Sequence, residues 1–324
     1  LELPGFRLTN GVDFVFTTLS GVTQLAPGER VLVVKNRAAF LSRYPDATHI
    51  AGEFEGTLPN ASGRLTLVGP LEEPICDLVY NDAWAALADG FGFALALADE
   101  AVLPSELGDP RLWRLSAAAG GSPGAPDPAP PVLPTVWIAE VLSNPIPPEC
   151  DAIELVNPAR RPADISGWYL TDDFRAPRKY RFPPDTIIPP GGLLLVNDSA
   201  FNVSGPEGFG LSASGDEAYL FSADAEGRLT GQVHGFAFGA ADPGISFGLQ
   251  SLGSSGQVLV EQIEPTPGYP NRGARVGPVV ISEIMYAPEP VGPGVVGEEF
   301  IELHNLSNLP VPLSDPTEPA LTWR

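Results

Sequence analysis

The chain repeats itself, and the spacing of the repeat restricts what it can fold into. Residues 138–157 begin IAEVLSNP and end CDAIELVN, and residues 281–305 begin ISEIMYAP and end EEFIELHN. A second block, GFRLTNGVDFVF at 5–16, returns as GWYLTDDF and YRF within 167–182, and its opening returns once more as LTWR at 321–324. A third block reads LAPGERVLVVKN at 25–36 and IPPGGLLLVND at 188–198. A closing block reads GGSPGAPDP at 120–128 and EPTPGYPN at 264–271. Copies more than about 100 residues apart denote tandem globular domains, because solenoid repeats are several times shorter. The order of the blocks divides the chain into a module at 1–128 that lacks its first strands, a Pro-rich linker at 129–134, a complete module at 135–271, and the leading strands of a third at 278–324.

Within each module short apolar runs alternate with turns, and 37 Pro and 35 Gly punctuate them. Without such a pattern that content would suggest disorder; with it, the pattern is that of an all-β sandwich, whose turns and edges take Pro and Gly. In AIELVN, Ile153 and Leu155 face one way and Ala152, Glu154 and Val156 the other, as on a half-buried strand. Trp168 follows a Ser-Gly turn and starts a strand, where it becomes the largest single core contribution. Ile138, Val141, Leu170, Leu194 and Val196 complete the expected core. Helical signals reduce to turn-length pieces at Arg37–Tyr44 and Asn81–Ala88. The proline-dense Pro123–Pro134 favours an extended spacer, so the modules are expected to touch only through small interfaces.

The formal charge of −22, with only two lysines (Lys35 and Lys179), argues against nucleic acid as a partner. No apolar run is long enough to span a membrane as a helix. Cys76 and Cys150 allow either a disulfide stapling adjacent modules or two separate thiols.

The sequence of blocks resembles the lamin tail domain: [IV]xE[IV], then IEL with a following Asn, SGWxLxD, a Pro-Gly-Gly turn before LLLVND, and a closing [ST]PGxPN. The version it resembles most is the bacterial one found in large secreted or surface proteins. The resemblance implies tandem immunoglobulin-like β-sandwich modules, with Glu140, Glu154, Asn157 and Trp168 serving the fold, and Glu283, Glu302 and Asn305 at the same places in the third piece.

Signs of catalysis are poor. Gly120-Gly121-Ser122-Pro123-Gly124 has the spacing of a nucleophile elbow, but the residue after that serine must donate its N–H to the oxyanion, and proline has none. The glycines between Gly292 and Gly297 fit a dinucleotide-loop spacing, yet open no helix and precede Glu298-Glu299, which repel a pyrophosphate. His49, His234 and His304 fall in three different modules with no ligand at zinc spacing. Asp172-Asp173 and the loop carboxylates Glu149 and Asp151 are calcium candidates, which compete with a reading as solvated acidic turns. Otherwise no cofactor is expected. Asn60, Asn197, Asn202 and Asn305 each start an N-x-[ST] sequon.

These observations favour a non-enzymatic structural array of an extracellular or cell-surface protein, with neighbouring modules or copies of the same chain as its partners. The first piece starts where the strands of the third stop, so joined head to tail they make one sandwich by strand complementation and propagate as a fibre. A plain excerpt from a longer chain accounts for the same ends. The alternative is an adhesion module recognising carbohydrate or protein through sandwich-end loops such as Asp99–Pro110 and Pro288–Glu299, although no cluster of exposed aromatics marks such a site.

Overall fold

Short antiparallel strands joined by Gly- and Pro-bearing turns make up nearly all regular structure, and the chain is all-β. The computed structural model describes residues 1–205, 207–251, 256–275, 279–289, 297–311 and 313. The LTWR block at 321–324 lies outside them, as do residues 290–296.

The N-terminal region holds β1 (Arg7–Thr9), β2 (Val12–Val15), β3 (Leu32–Val34), helix α1 (Arg37–Arg43), β4 (Ile50–Glu53), β5 (Glu55–Gly56), β6 (Ser62–Val68), β7 (Pro74–Asn81), β8 (Leu95–Leu97) and β9 (Trp113–Leu115). Residues 6–16 form a hairpin because Asn10 and Gly11 both take positive φ. One sheet runs β5-β2-β1-β6-β7; β3 pairs with β4 in parallel, and β8 pairs only with β9.

The central region is a complete two-sheet sandwich. Its strands are β10 (Trp137–Leu142), β11 (Ala152–Val156), β12 (Ala163–Asp164), β13 (Tyr169–Thr171), β14 (Tyr180–Arg181), β15 (Ile187–Ile188), β16 (Leu193–Asn197), β17 (Gly215–Ala223), β18 (Leu229–Gly239), β19 (Phe247–Ser251) and β20 (Gln257–Glu261), with helix α2 (Asp198–Phe201) after β16. One sheet is ordered β16-β11-β10-β19-β20 and the other β14-β13-β17-β18, with β12–β15 as a small third ladder. Ile138, Val141, Ile153, Leu155, Trp168, Leu170 and Val196 are buried between the sheets with Phe201, Leu220 and Phe238, and Leu194 packs against them half-buried. His234 on β18 ties the sheets together: its Nδ1 accepts the Ile138 N–H at 3.0 Å, which places the ring proton on Nε2, 3.3 Å from Gln257 Oε1.

The outer face of β17–β18 is apolar as well, because Tyr219 and Phe221 alternate with the core residues Ala218 and Leu220. Leu87 and Phe93 of the N-terminal region join Tyr169, Phe221, Ala223 and Leu229 in a buried cluster, and Phe91 meets Phe174 edge-on at 5.3 Å and Phe221 at 5.9 Å. The two regions thus share an aromatic interface. Phe91→Ala is expected to cost about 2 kcal/mol in chemical denaturation, below the full burial figure because Phe91 is only partly covered.

The last described pair, β21 (Val279–Met285) and β22 (Phe300–Asn305), forms a two-stranded sheet on its own.

Candidate functional site

The feature that orders the central sandwich is a pair of buried glutamates facing each other across β10 and β11. Strict alternation from the inward-facing Ile138 would turn Glu140 into the core and Val141 out of it. A β-bulge between Ile138 and Glu140 resets the phase, so that Val141 faces Ile153 inside and Glu140 stands opposite Glu154 on the other face. That face is not solvated. The closing turn Thr266-Pro267-Gly268 covers it and satisfies the carboxylates: the Thr266 N–H donates to Glu140 Oε1 at 2.8 Å, its hydroxyl to Oε2 at 2.9 Å, the Ser246 hydroxyl also donates to Oε1, and the Gly268 N–H donates to Glu154 Oε2. Glu154 is 1% exposed and its Oε1 is buried with no partner. Burial, aided by the neighbouring Glu140 charge, pushes the Glu154 carboxyl up to about 7 against the opposing pull of the Gly268 N–H. Asn157 pins the end of β11, donating to Arg161, Ile188 and Pro189 carbonyls.

Among the described residues the hairpin β21–β22 repeats this geometry with no turn laid over its glutamate pair. Its bulge falls between Ile281 and Glu283, Glu283 faces Glu302, Ile281 faces Leu303 and Ile284 faces Ile301. Asn305 makes the same local turn as Asn157, donating to Leu309 O and accepting from Ser307 N–H. The four inward-type residues, whose counterparts Ile138, Val141, Ile153 and Leu155 are wholly buried, are here 54–65% exposed.

The N-terminal region is arranged differently. There the strands β3–β4 and β8–β9 form two separate pairs. Phe6 and Leu8, at the places of the buried Trp168 and Leu170, are only half-buried. A groove over β8 and β9 is lined by Leu95, Leu97, Trp113, Arg114, Ser122 and Asp127.

The remaining candidates are dispersed. Asp172 is paired with Lys179, Asp173 Oδ1 accepts the Arg175 N–H at 2.8 Å, Asp151 Oδ2 accepts the Leu211 N–H at 3.2 Å, and Glu149 is exposed. Among the described residues no three His, Cys, Asp or Glu side chains converge as a metal cage would need. Cys76 lies opposite Leu67 on β7 and Cys150 in the loop before β11, unbonded to each other, and burial and Asp198 raise the Cys150 thiol. Asn60, Asn197 and Asn202 are exposed, and Asn305 is partly covered with its side chain engaged. Ser122 donates to Asp127 at 2.8 Å and has no histidine partner. The fold also brings the half-buried Tyr80, Trp84 and Trp113 and the buried Phe93 around a cleft of about 490 Å³, with the Trp84 and Trp113 rings 6.2 Å apart, a grouping the sequence did not show.

Residues 130–234 match the family model described as Lamin Tail Domain, a stretch that spans β10 to the first half of β18. No curated protein and no solved structure matches the chain.

Proposed function

Starting from the lamin-tail match over the central sandwich, we propose that the chain is a non-enzymatic structural array of an extracellular or cell-surface protein. Its copies join head to tail by strand addition and continue as a filament. One observation carries the reading: among the described residues a hairpin with the register and bulge of β10–β11 leaves its apolar face exposed, and β8 leaves one strand edge unpaired. A lone two-stranded ribbon is marginal in water, and an open strand edge is a template for pairing. The contact joins two unlike surfaces, so it propagates as a filament wherever its rotation does not close a ring.

The open edge of β8 is identifiable. Ser116 N–H donates to Ala94 O and Ala98 N–H to Leu112 O, so the backbone of Leu95 and Leu97 faces away from β9. Sedimentation velocity of the 324-residue chain is expected to show a concentration-dependent ladder of species, with unbranched filaments by electron microscopy. Leu97→Pro removes one outward donor without touching the β8–β9 ladder and is expected to abolish the ladder of species. A chain that stays monomeric up to about 100 μM, or associates unchanged in Leu97→Pro, overturns the reading.

A second reading, an adhesion module for carbohydrate or protein, is favoured by the aromatic cleft at Trp84 and Trp113. Binding on a glycan array that is lost in Trp113→Ala would support it over a purely structural role.

A further inference from the structure

The aromatic cleft of the N-terminal region spends most of its hydrogen-bonding groups on the protein itself, and what it keeps for a ligand is π-surface and negative charge. Two short 3-10 turns after β7, Asp82–Trp84 and Ala86–Ala88, bring Trp84 to Trp113 at the start of β9, where the two rings meet at 38°. The Trp113 indole N–H donates to Leu107 O at 2.8 Å and the Tyr80 hydroxyl to Pro59 O at 2.8 Å, so both rings are held in place with that donor used. Asn81 Oδ1 caps the first turn by accepting the Ala83 N–H at 2.8 Å. The buried Phe93 adds a fourth ring to the lining. Asp82 and Asp89 line the cleft as well; among the described residues no Lys or Arg does, and Arg175 reaches Asp89 only at 3.9 Å from an exposed position. The volume of about 490 Å³ is that of a small-molecule site.

We propose that this cleft binds a small organic cation through a quaternary ammonium head, the cation of choline. The inference rests on the second reading, the adhesion cleft, whose ligand it names; it does not depend on strand addition. A cation is attracted to the negative face of an aromatic ring, most strongly to Trp, and the attraction grows where water is excluded. A quaternary ammonium carries no N–H, so it asks for no acceptors in fixed positions and suits rings whose polar edges are already engaged. A primary ammonium would bring three N–H groups to satisfy. A neutral sugar would need donors and acceptors for its hydroxyls, and the Tyr80, Trp113 and Asn81 groups are occupied. Asp82 and Asp89 set the sign of the ligand at the cleft, and the net charge of −22 draws cations toward the chain as a whole. An anion is repelled by both.

Titration calorimetry of the 324-residue chain with tetramethylammonium and with choline is expected to give a Kd of about 1 mM or tighter. The uncharged carbon isostere of choline should bind at least about 10-fold more weakly, since it has the shape without the charge. Trp84→Ala should weaken choline about 10-fold, and Trp84→Phe should recover part of that loss because a ring face remains. Asp82→Asn should weaken it about 3-fold and reduce its dependence on salt. The isostere and Asp82→Asn remove no ring, so they decide the matter even where Trp84→Ala fails to fold. Choline that binds no tighter than its isostere, or equally well to a folded Trp84→Ala, overturns the cation assignment, as does the absence of binding up to about 10 mM. A glycan array that is then positive, with binding lost in Trp113→Ala, leaves the adhesion reading standing without it. A blank array together with blank calorimetry removes both.

Discussion

Glu140→Ala is expected to cost the central sandwich about 3–5 kcal/mol, whereas the same change at its repeat position, Glu283→Ala, costs close to nothing in the monomeric chain. The side chains are chemically identical and each follows the same bulge; what differs is the cover. Glu140 is buried, and it accepts from Thr266 twice and from Ser246 once. Its loss leaves a buried backbone N–H and two buried hydroxyls without an acceptor, and the closing turn loses the anchor that holds it over the sheet. Urea denaturation followed by tryptophan fluorescence reads both variants, because Trp137 and Trp168 lie in this sandwich. A loss below about 1 kcal/mol in Glu140→Ala would mean that the turn finds other partners, and the glutamate pair would not be what closes the module.

Most of the sandwich was legible because alternation and turn chemistry are local. The two faces of β11, the Trp168 anchor and the helical turn at Arg37–Arg43 follow from neighbouring residues alone. The fate of Glu154 did not follow. Alternation puts it on the outer face, and an outer face ordinarily meets water; only the return of residues more than 100 positions later makes that face a second interior. Glu140 is harder still, since the bulge that aims it adds a residue to one strand and cannot be told from ordinary sequence. The same limit hid the contact between regions. Tyr219 and Phe221 alternate cleanly on β17, but nothing near them in sequence points to Phe91 and Phe93, which cover them. The clustering of Trp84 with Trp113 escaped for the same reason. Repeats recovered part of what local rules missed: the recurrence of the [IV]xE[IV] and IEL strands and of [ST]-Pro-Gly turns was visible, though not that one binds the other.

Stability of the central sandwich should fall by about 3 kcal/mol as pH rises from about 4.5 to above 7, through Glu154. The sign follows from proton counting. In the unfolded chain this carboxyl releases its proton near its ordinary value of 4.5, and in the fold it holds it to about 7. Between those values the native state binds more protons than the unfolded one, so the stabilisation is complete below pH 4.5 and is lost as pH passes through 7. Burial is the main cause, and the lone Oε1, which no donor reaches, is where the cost of ionisation falls. Glu154→Gln keeps the shape and the acceptor for the Gly268 N–H while removing the charge. It should therefore be nearly neutral at pH 5, stabilising at pH 8, and should flatten the profile between them. Thermal unfolding of both chains across pH 5–8 reads the difference directly. Parallel profiles would show that Glu154 does not titrate in this range, and the unpartnered oxygen would then need another source of stabilisation.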